Sequence, residues 1–245
     1  MIIKGKNALI TGGANRIGRE ITLGLARSGA NVAINYFTSE SEAKRTLDDA
    51  LELGVEAISS KADISKIYQV SKMVDLVAEQ LGTIDIFIHS AAPFIRTPFP
   101  VSTLDDWHTV INTMVNGSFY CANSIAPYMI NQGSGAMIFI LDLSALEPMR
   151  NYIAHSIGKA SILALSKQLA VELAPNVRVN SIVPGHILPP EELSDETIIR
   201  LAKKNLLRRW GDPSDIVKTV MFLLESGFIN GEMIIVDGGE RLTPS

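Results

Sequence analysis

Short apolar runs alternate with longer amphipathic segments along the whole 245-residue chain, and this rhythm restricts the fold more than any other feature. The runs are 7–11, 31–36, 56–62, 84–89, 136–141, 177–182 and 233–236. Most are nearly continuous in apolar residues, as strands covered on both faces are. The segments between them, 16–28, 41–53, 66–81, 104–132, 152–173 and 214–224, read as helices. Strand and helix in alternation predict an α/β fold, a doubly wound parallel sheet with helices on both faces. Ser39-Glu40-Ser41-Glu42 reads as a capping box, and Asp212-Pro213 sets a cap residue before a proline suited to a first helical turn. No repeat or linker divides the chain, so residues 1–245 are expected to form a single domain. Pro184, Gly185, Pro189 and Pro190 break the rhythm after the sixth run. An insertion there, at the carboxyl end of a strand, reads either as a substrate lid over 185–207 or as a surface loop without a role.

Composition narrows the function classes. With 47% hydrophobic and 20% charged residues the chain is of ordinary globular type. Cys121 is its one cysteine, which excludes an internal disulfide. A net charge of −4 without a basic block argues against a nucleic-acid partner. No run approaches the roughly 18 apolar residues of a membrane span. The opening residues enter the first apolar run directly, without the regions of a secretory leader, so a cytoplasmic location is expected. His89, His108, His155 and His186 are scattered without zinc-ligand spacing, so no metal is expected.

The first run ends in Thr11-Gly12-Gly13-Ala14-Asn15-Arg16-Ile17-Gly18 and leads into a helix. Strand, glycine turn and helix in that order suit a diphosphate: glycines let the backbone approach closely, and the helix start offers free N–H groups and a positive dipole end. A glycine turn serving only chain reversal is the plain alternative.

This turn resembles the Thr-Gly-x-x-x-Gly-x-Gly motif of the short-chain dehydrogenase/reductase family, with Arg16 in place of the middle glycine. Pteridine reductase-like members carry a similar arginine. Asp63 matches the family's adenine-contacting acid, although it could simply cap the next helix. Arg178-Val179-Asn180-Ser181-Ile182-Val183-Pro184-Gly185 and Asp237-Gly238-Gly239 match two later motifs. The resemblance spans nearly the whole chain and implies a Rossmann fold, a small-molecule substrate and a homo-oligomer, commonly a tetramer packed through 104–132 and 152–173. It places the nicotinamide cofactor against Gly12, Asn15, Arg16, Ile17, Gly18, Tyr36, Asp63, Ser90, Ala91, Lys159, Pro184 and Gly185.

The end of the second run, Asn35-Tyr36, lacks the carboxylate that would bind an adenosine ribose and repel a 2′-phosphate. Arg16 in the adjacent turn is a cation able to meet that phosphate, unless it is simply a solvated surface charge. NADP(H) is therefore expected over NAD(H).

The catalytic positions depart from the family. Of Tyr-x-x-x-Lys the lysine remains as Lys159, with His155 four residues earlier on the same helix face. Asp142 stands at the serine position, as in pteridine reductase-like members. Met114 falls at the asparagine position, with Asn112 and Asn116 close enough for a gapped alignment to change this. His89-Ser90-Ala91-Ala92 replaces Asn-Asn-Ala-Gly. A protonated imidazole is a competent general acid; an adjacent Asp142 carboxylate would favour that form and an adjacent Lys159 ammonium would oppose it, the outcome depending on their distances. Tyr152, one turn before His155, is either a substitute phenol or ordinary packing, and Ser144 would share Asp142's side if the strand continued that far. His89 reads as a satisfied histidine at a strand end, and His186 is expected near the nicotinamide. Two functions follow. One is an NADP(H)-dependent reductase of a carbonyl or pterin-like substrate with Asp142, His155 and Lys159 as catalytic groups. The other is a pseudoenzyme that keeps the cofactor cleft for binding or interaction.

Overall fold

A computed structural model describes residues 1–189 and 193–243. Seven parallel strands form one sheet: β1 (Asn7–Thr11), β2 (Asn31–Tyr36), β3 (Ala57–Lys61), β4 (Ile86–His89), β5 (Gly135–Ile140), β6 (Val177–Pro184) and β7 (Met233–Val236). Their order is β3-β2-β1-β4-β5-β6-β7. The chain therefore runs outward from β1 to one edge, then returns to β4 and runs to the other. The connections leaving β1 and β4 diverge, which opens a crevice at their carboxyl ends.

Helices α1 (Arg16–Arg27), α2 (Glu40–Glu52) and α8 (Pro213–Glu225) cover one face; α3 (Ile67–Leu81), α4 (Asp105–Ile111), α5 (Gly117–Asn131) and α6 (Ile153–Glu172) cover the other. Because both faces are covered, β1 is buried at all five positions and β5 at all six. One core layer holds Leu9, Phe87 and Phe139, whose two phenyl rings meet edge to face at 6.1 Å; the other holds Ile10, Ile21, Ile138 and Leu223. Gly24 lets α1 approach α8, since a Cβ there would lie 2.5 Å from Val217 Cγ1.

The structure amends several expectations. The segment 104–132 is not one helix: a π-helical stretch, Asn112–Asn116, separates α4 from α5. Ser39 precedes α2 but makes no capping bond; its hydroxyl accepts from Asn15 Nδ2 at 3.2 Å instead. Asp212 does cap α8, accepting from Ser214 N, while Asp215 reaches back to Asp212 N. β5 ends at Ile140, so Ser144 lies in a 3₁₀ turn and not on a strand. In the proposed lid, α7 (Asp195–Ala202) is formed and Ser194 caps it. Pro190, which lies in that stretch, falls outside the described residues.

Candidate active site

Gly12 has φ +64°, and a Cβ there would lie 2.9 Å from Ala91 Cα. Gly18 is more confined still, because its Cβ would fall 2.0 Å from the Gly12 carbonyl oxygen. The turn thus closes on itself with bare backbone, and α1 begins without a side-chain cap, leaving its first N–H groups free. Arg16 accepts a left-handed φ of +49°, the conformation for which a glycine is usual.

A cavity of about 700 Å³ opens beside this turn. Gly12, Asn15, Tyr36, Asp63, Ser90 and Ala91 line it, together with Phe37, Thr38, Ser39, Pro93 and Asn112. Asp63 serves its turn as well, accepting from Ser65 N at 2.9 Å. Arg16, Ile17, Gly18, Lys159, Pro184 and Gly185 are not in this lining. Arg16 departs from expectation: its guanidinium donates to the Leu188 carbonyl at 2.9 Å, in the loop after β6, and does not join the side chains at the end of β2. The backbone at Gly185 packs on the other side, where a Cβ would lie 2.8 Å from Asp237 Cα.

The register of β1 and β4 sets Thr11 opposite His89. Thr11 Oγ1 accepts from Ser90 N at 3.2 Å and shares a hydrogen bond with His89 Nδ1 at 3.0 Å. His89 Nε2 is buried without a hydrogen-bond partner among the described residues. Burial, with a smaller contribution from Lys159, pushes the His89 pKa down to about 3. The imidazole is therefore neutral, packed between Phe87 and Phe139.

Asp142, His155 and Lys159 converge just beyond β5. His155 Nε2 lies 2.8 Å from Asp142 Oδ2, and its Nδ1 lies 3.2 Å from the Pro93 carbonyl. Lys159 Nζ donates to the Ile140 carbonyl at 3.0 Å and stands 3.8 Å from Asp142 Oδ2. Asp142 Oδ1 accepts from Ser144 N at 2.9 Å and from the Ser144 hydroxyl. Burial alone would raise the Asp142 pKa, but the His155 hydrogen bond and the Lys159 charge outweigh it and hold the carboxyl well below its usual range. Burial lowers the Lys159 pKa, and Asp142 opposes that shift. Pro93 connects the cluster to the cavity, which its residue also lines. Sequence reasoning missed this backbone acceptor; a loop carbonyl leaves no mark in a sequence.

Tyr152 precedes α6 and stacks on Phe94 at 4.5 Å, while Phe94 meets His155 edge-on at 4.9 Å. Met114 is fully buried against Gly158. His186 departs from expectation: it pairs with Glu240 at 2.6 Å and lines a separate cavity of about 670 Å³ with Leu206, Lys218 and Asp237. Arg178 and Asn180 are structural, bonding carbonyls of α8 and of Ile229. Among the described residues no group of three or more His, Cys, Asp or Glu could hold a metal, and no helix is long and apolar enough to cross a membrane.

A parallel sheet whose strand order reverses beside the glycine turn, with a lysine-bearing cluster at the end of β5, defines a dinucleotide-cleft architecture. The family profile described as "Enoyl-(Acyl carrier protein) reductase" matches residues 12–240. The chain belongs to the short-chain dehydrogenase/reductase family of oxidoreductases. Among its relatives, the 3-oxoacyl-[acyl-carrier-protein] reductase FabG of Staphylococcus epidermidis is 33% identical over 242 residues, covering 96% of this chain and 98% of that protein. Two solved structures, each 28% identical, match with a TM-score of 0.90 over 98% of this chain and 100% of theirs. They are an NAD⁺-bound xylitol dehydrogenase and a short-chain dehydrogenase of Burkholderia cenocepacia J2315 in complex with NADP.

Proposed function

We propose that the chain is an NADP(H)-dependent reductase of a carbonyl or pterin-like substrate, with Asp142, His155 and Lys159 as its reactive groups. The observation that carries this reading is the convergence of those three side chains beside the cavity of the glycine turn. A nicotinamide dinucleotide supplies hydride when bound. The bare backbone of Gly12 and Gly18 and the free start of α1 would hold its diphosphate. Lys159, anchored on Ile140, keeps ammonium hydrogens for the ribose next to the nicotinamide. Asp142 and His155 keep a proton at the reducing end. The buried Lys159 ammonium beside them favours negative charge developing on the substrate. Phe94, 61% exposed, offers a flat apolar wall for a planar substrate.

The preference for NADP(H) rests on the end of β2. Asn35 is buried there and turned inward, donating to the Ala62 carbonyl at 3.1 Å, so the end of β2 itself presents no carboxylate to a 2′-phosphate. The Thr38 and Ser39 hydroxyls and the uncapped start of α2 offer donors instead. NADPH is expected to bind at least about tenfold more tightly than NADH, a difference of about 1.4 kcal/mol. Fluorescence titration of the apo protein with each nucleotide measures it; equal affinities, or tighter NADH, would overturn the assignment. Exposed Phe119 on α5 and Ile157 and Val171 on α6 support a homotetramer packed through these helices.

A further inference from the structure

We infer that Asp142 is the member of the reactive cluster that meets the substrate, and that it does so as a hydrogen-bond acceptor. The substrate then carries an N–H or O–H donor close to the bond that is reduced. The inference rests on the reductase reading above and names the substrate class for that site.

A backbone carbonyl only accepts, so His155 Nδ1, 3.2 Å from the Pro93 oxygen, carries a hydrogen. Asp142 has the surroundings of a carboxylate: Ser144 N–H and O–H both point at Oδ1, and the Lys159 ammonium stands 3.8 Å from Oδ2. An ionised carboxylate also only accepts, so His155 Nε2, 2.8 Å from Oδ2, donates as well. Both ring hydrogens of His155 are thus committed to the protein. Lys159 donates to the Ile140 carbonyl, and the Ser144 hydroxyl donates to Asp142. Of the cluster's donors, the Lys159 ammonium alone keeps hydrogens beyond its bond to Ile140, and those are the ones assigned above to the ribose.

Exposure separates the three reactive groups. The His155 side chain is 2% exposed and that of Lys159 6%, whereas that of Asp142 is 31% exposed. The cluster therefore presents a carboxylate edge, and Oδ2 keeps acceptor capacity beyond the bond from His155. A simple ketone, which only accepts, would set one acceptor against another there. A ring lactam or other planar heterocycle with a free N–H pairs with Oδ2 and lies against Phe94, whose ring already meets Tyr152 and His155. The carboxylate edge and the aromatic wall select for the same kind of molecule.

Two measurements test this. In protein labelled with ¹⁵N-histidine and free of cofactor, the His155 signals, assigned by their loss in His155→Gln, are expected to show hydrogen on both ring nitrogens. A singly protonated ring overturns the accounting. Calorimetry on protein preloaded with oxidised cofactor then compares isatin with N-methylisatin, which differ only at the ring N–H. Isatin is expected to bind at least about tenfold more tightly to wild type, and Asp142→Ala, checked for folding by thermal melting, is expected to erase the difference. Equal affinities in wild type overturn the inference and leave the reductase reading standing. Failure of the preloading step would count against that reading instead, and the ¹⁵N result would still decide the hydrogen accounting.

Discussion

Replacing His155 by alanine is expected to lower kcat about 10²–10⁴-fold, the range for losing a positioned proton-handling group. His155 works through Asp142, so the loss belongs in kcat, with KM changed by no more than about threefold. The physical reason is the partner it leaves behind. Without the imidazole, Asp142 keeps Ser144 and the more distant Lys159 but loses the donor 2.8 Å from Oδ2 and the proton held there. The cavity beside the glycine turn is lined by other residues, so NADPH affinity is expected to be unchanged. Steady-state kinetics with a parallel NADPH titration separates the two effects. A KM rise with kcat preserved would show that His155 only shapes the pocket.

Acid is expected to destabilise the wild-type protein through His89. Its pKa is about 3 in the folded chain against 6.5 for an ordinary imidazole. Between those values the unfolded chain binds the extra proton and the folded chain does not, so stability rises with pH and is lost as pH falls from about 6.5 toward 3. The slope approaches 1.4 kcal/mol for each pH unit over that window. Asp142, whose folded pKa is depressed, adds a loss of the same sign below the usual carboxylate range, and it does so in any His89 variant too. The comparison with His89→Asn therefore isolates the imidazole. Urea midpoints from pH 7 to pH 4 should fall steeply for wild type and more gently for the variant. Parallel curves would mean that the folded chain accepts a proton at His89.

The sequence made the sheet legible because strands buried on both faces leave continuous apolar runs; β1, β2 and β7 lie where those runs lie. The π-helical stretch at Asn112–Asn116 was not legible, since one widened turn barely disturbs a helical periodicity, yet it sets the surroundings of Met114. At the end of β5, the spacing of His155 and Lys159 on one helix face brought both to Asp142. What the spacing could not carry was direction. Arg16 was placed in the right turn, but its long side chain reaches Leu188. His186 was placed at the right strand end, and Glu240, from beyond β7, draws it into another cavity. Thr11 and His89 both end neighbouring strands, so their pairing was implicit in the strand order but needed the register to become visible.

The central claim is that an Asp142–His155–Lys159 cluster reduces substrate with NADPH. Its most direct test follows NADPH consumption by wild type and His155→Tyr, side by side, over a panel of pterins, quinones and simple ketones. The account predicts turnover by wild type that falls in His155→Tyr. Turnover by the tyrosine variant alone would contradict it, and would make this chain a cofactor-binding scaffold whose proton-handling group has been lost.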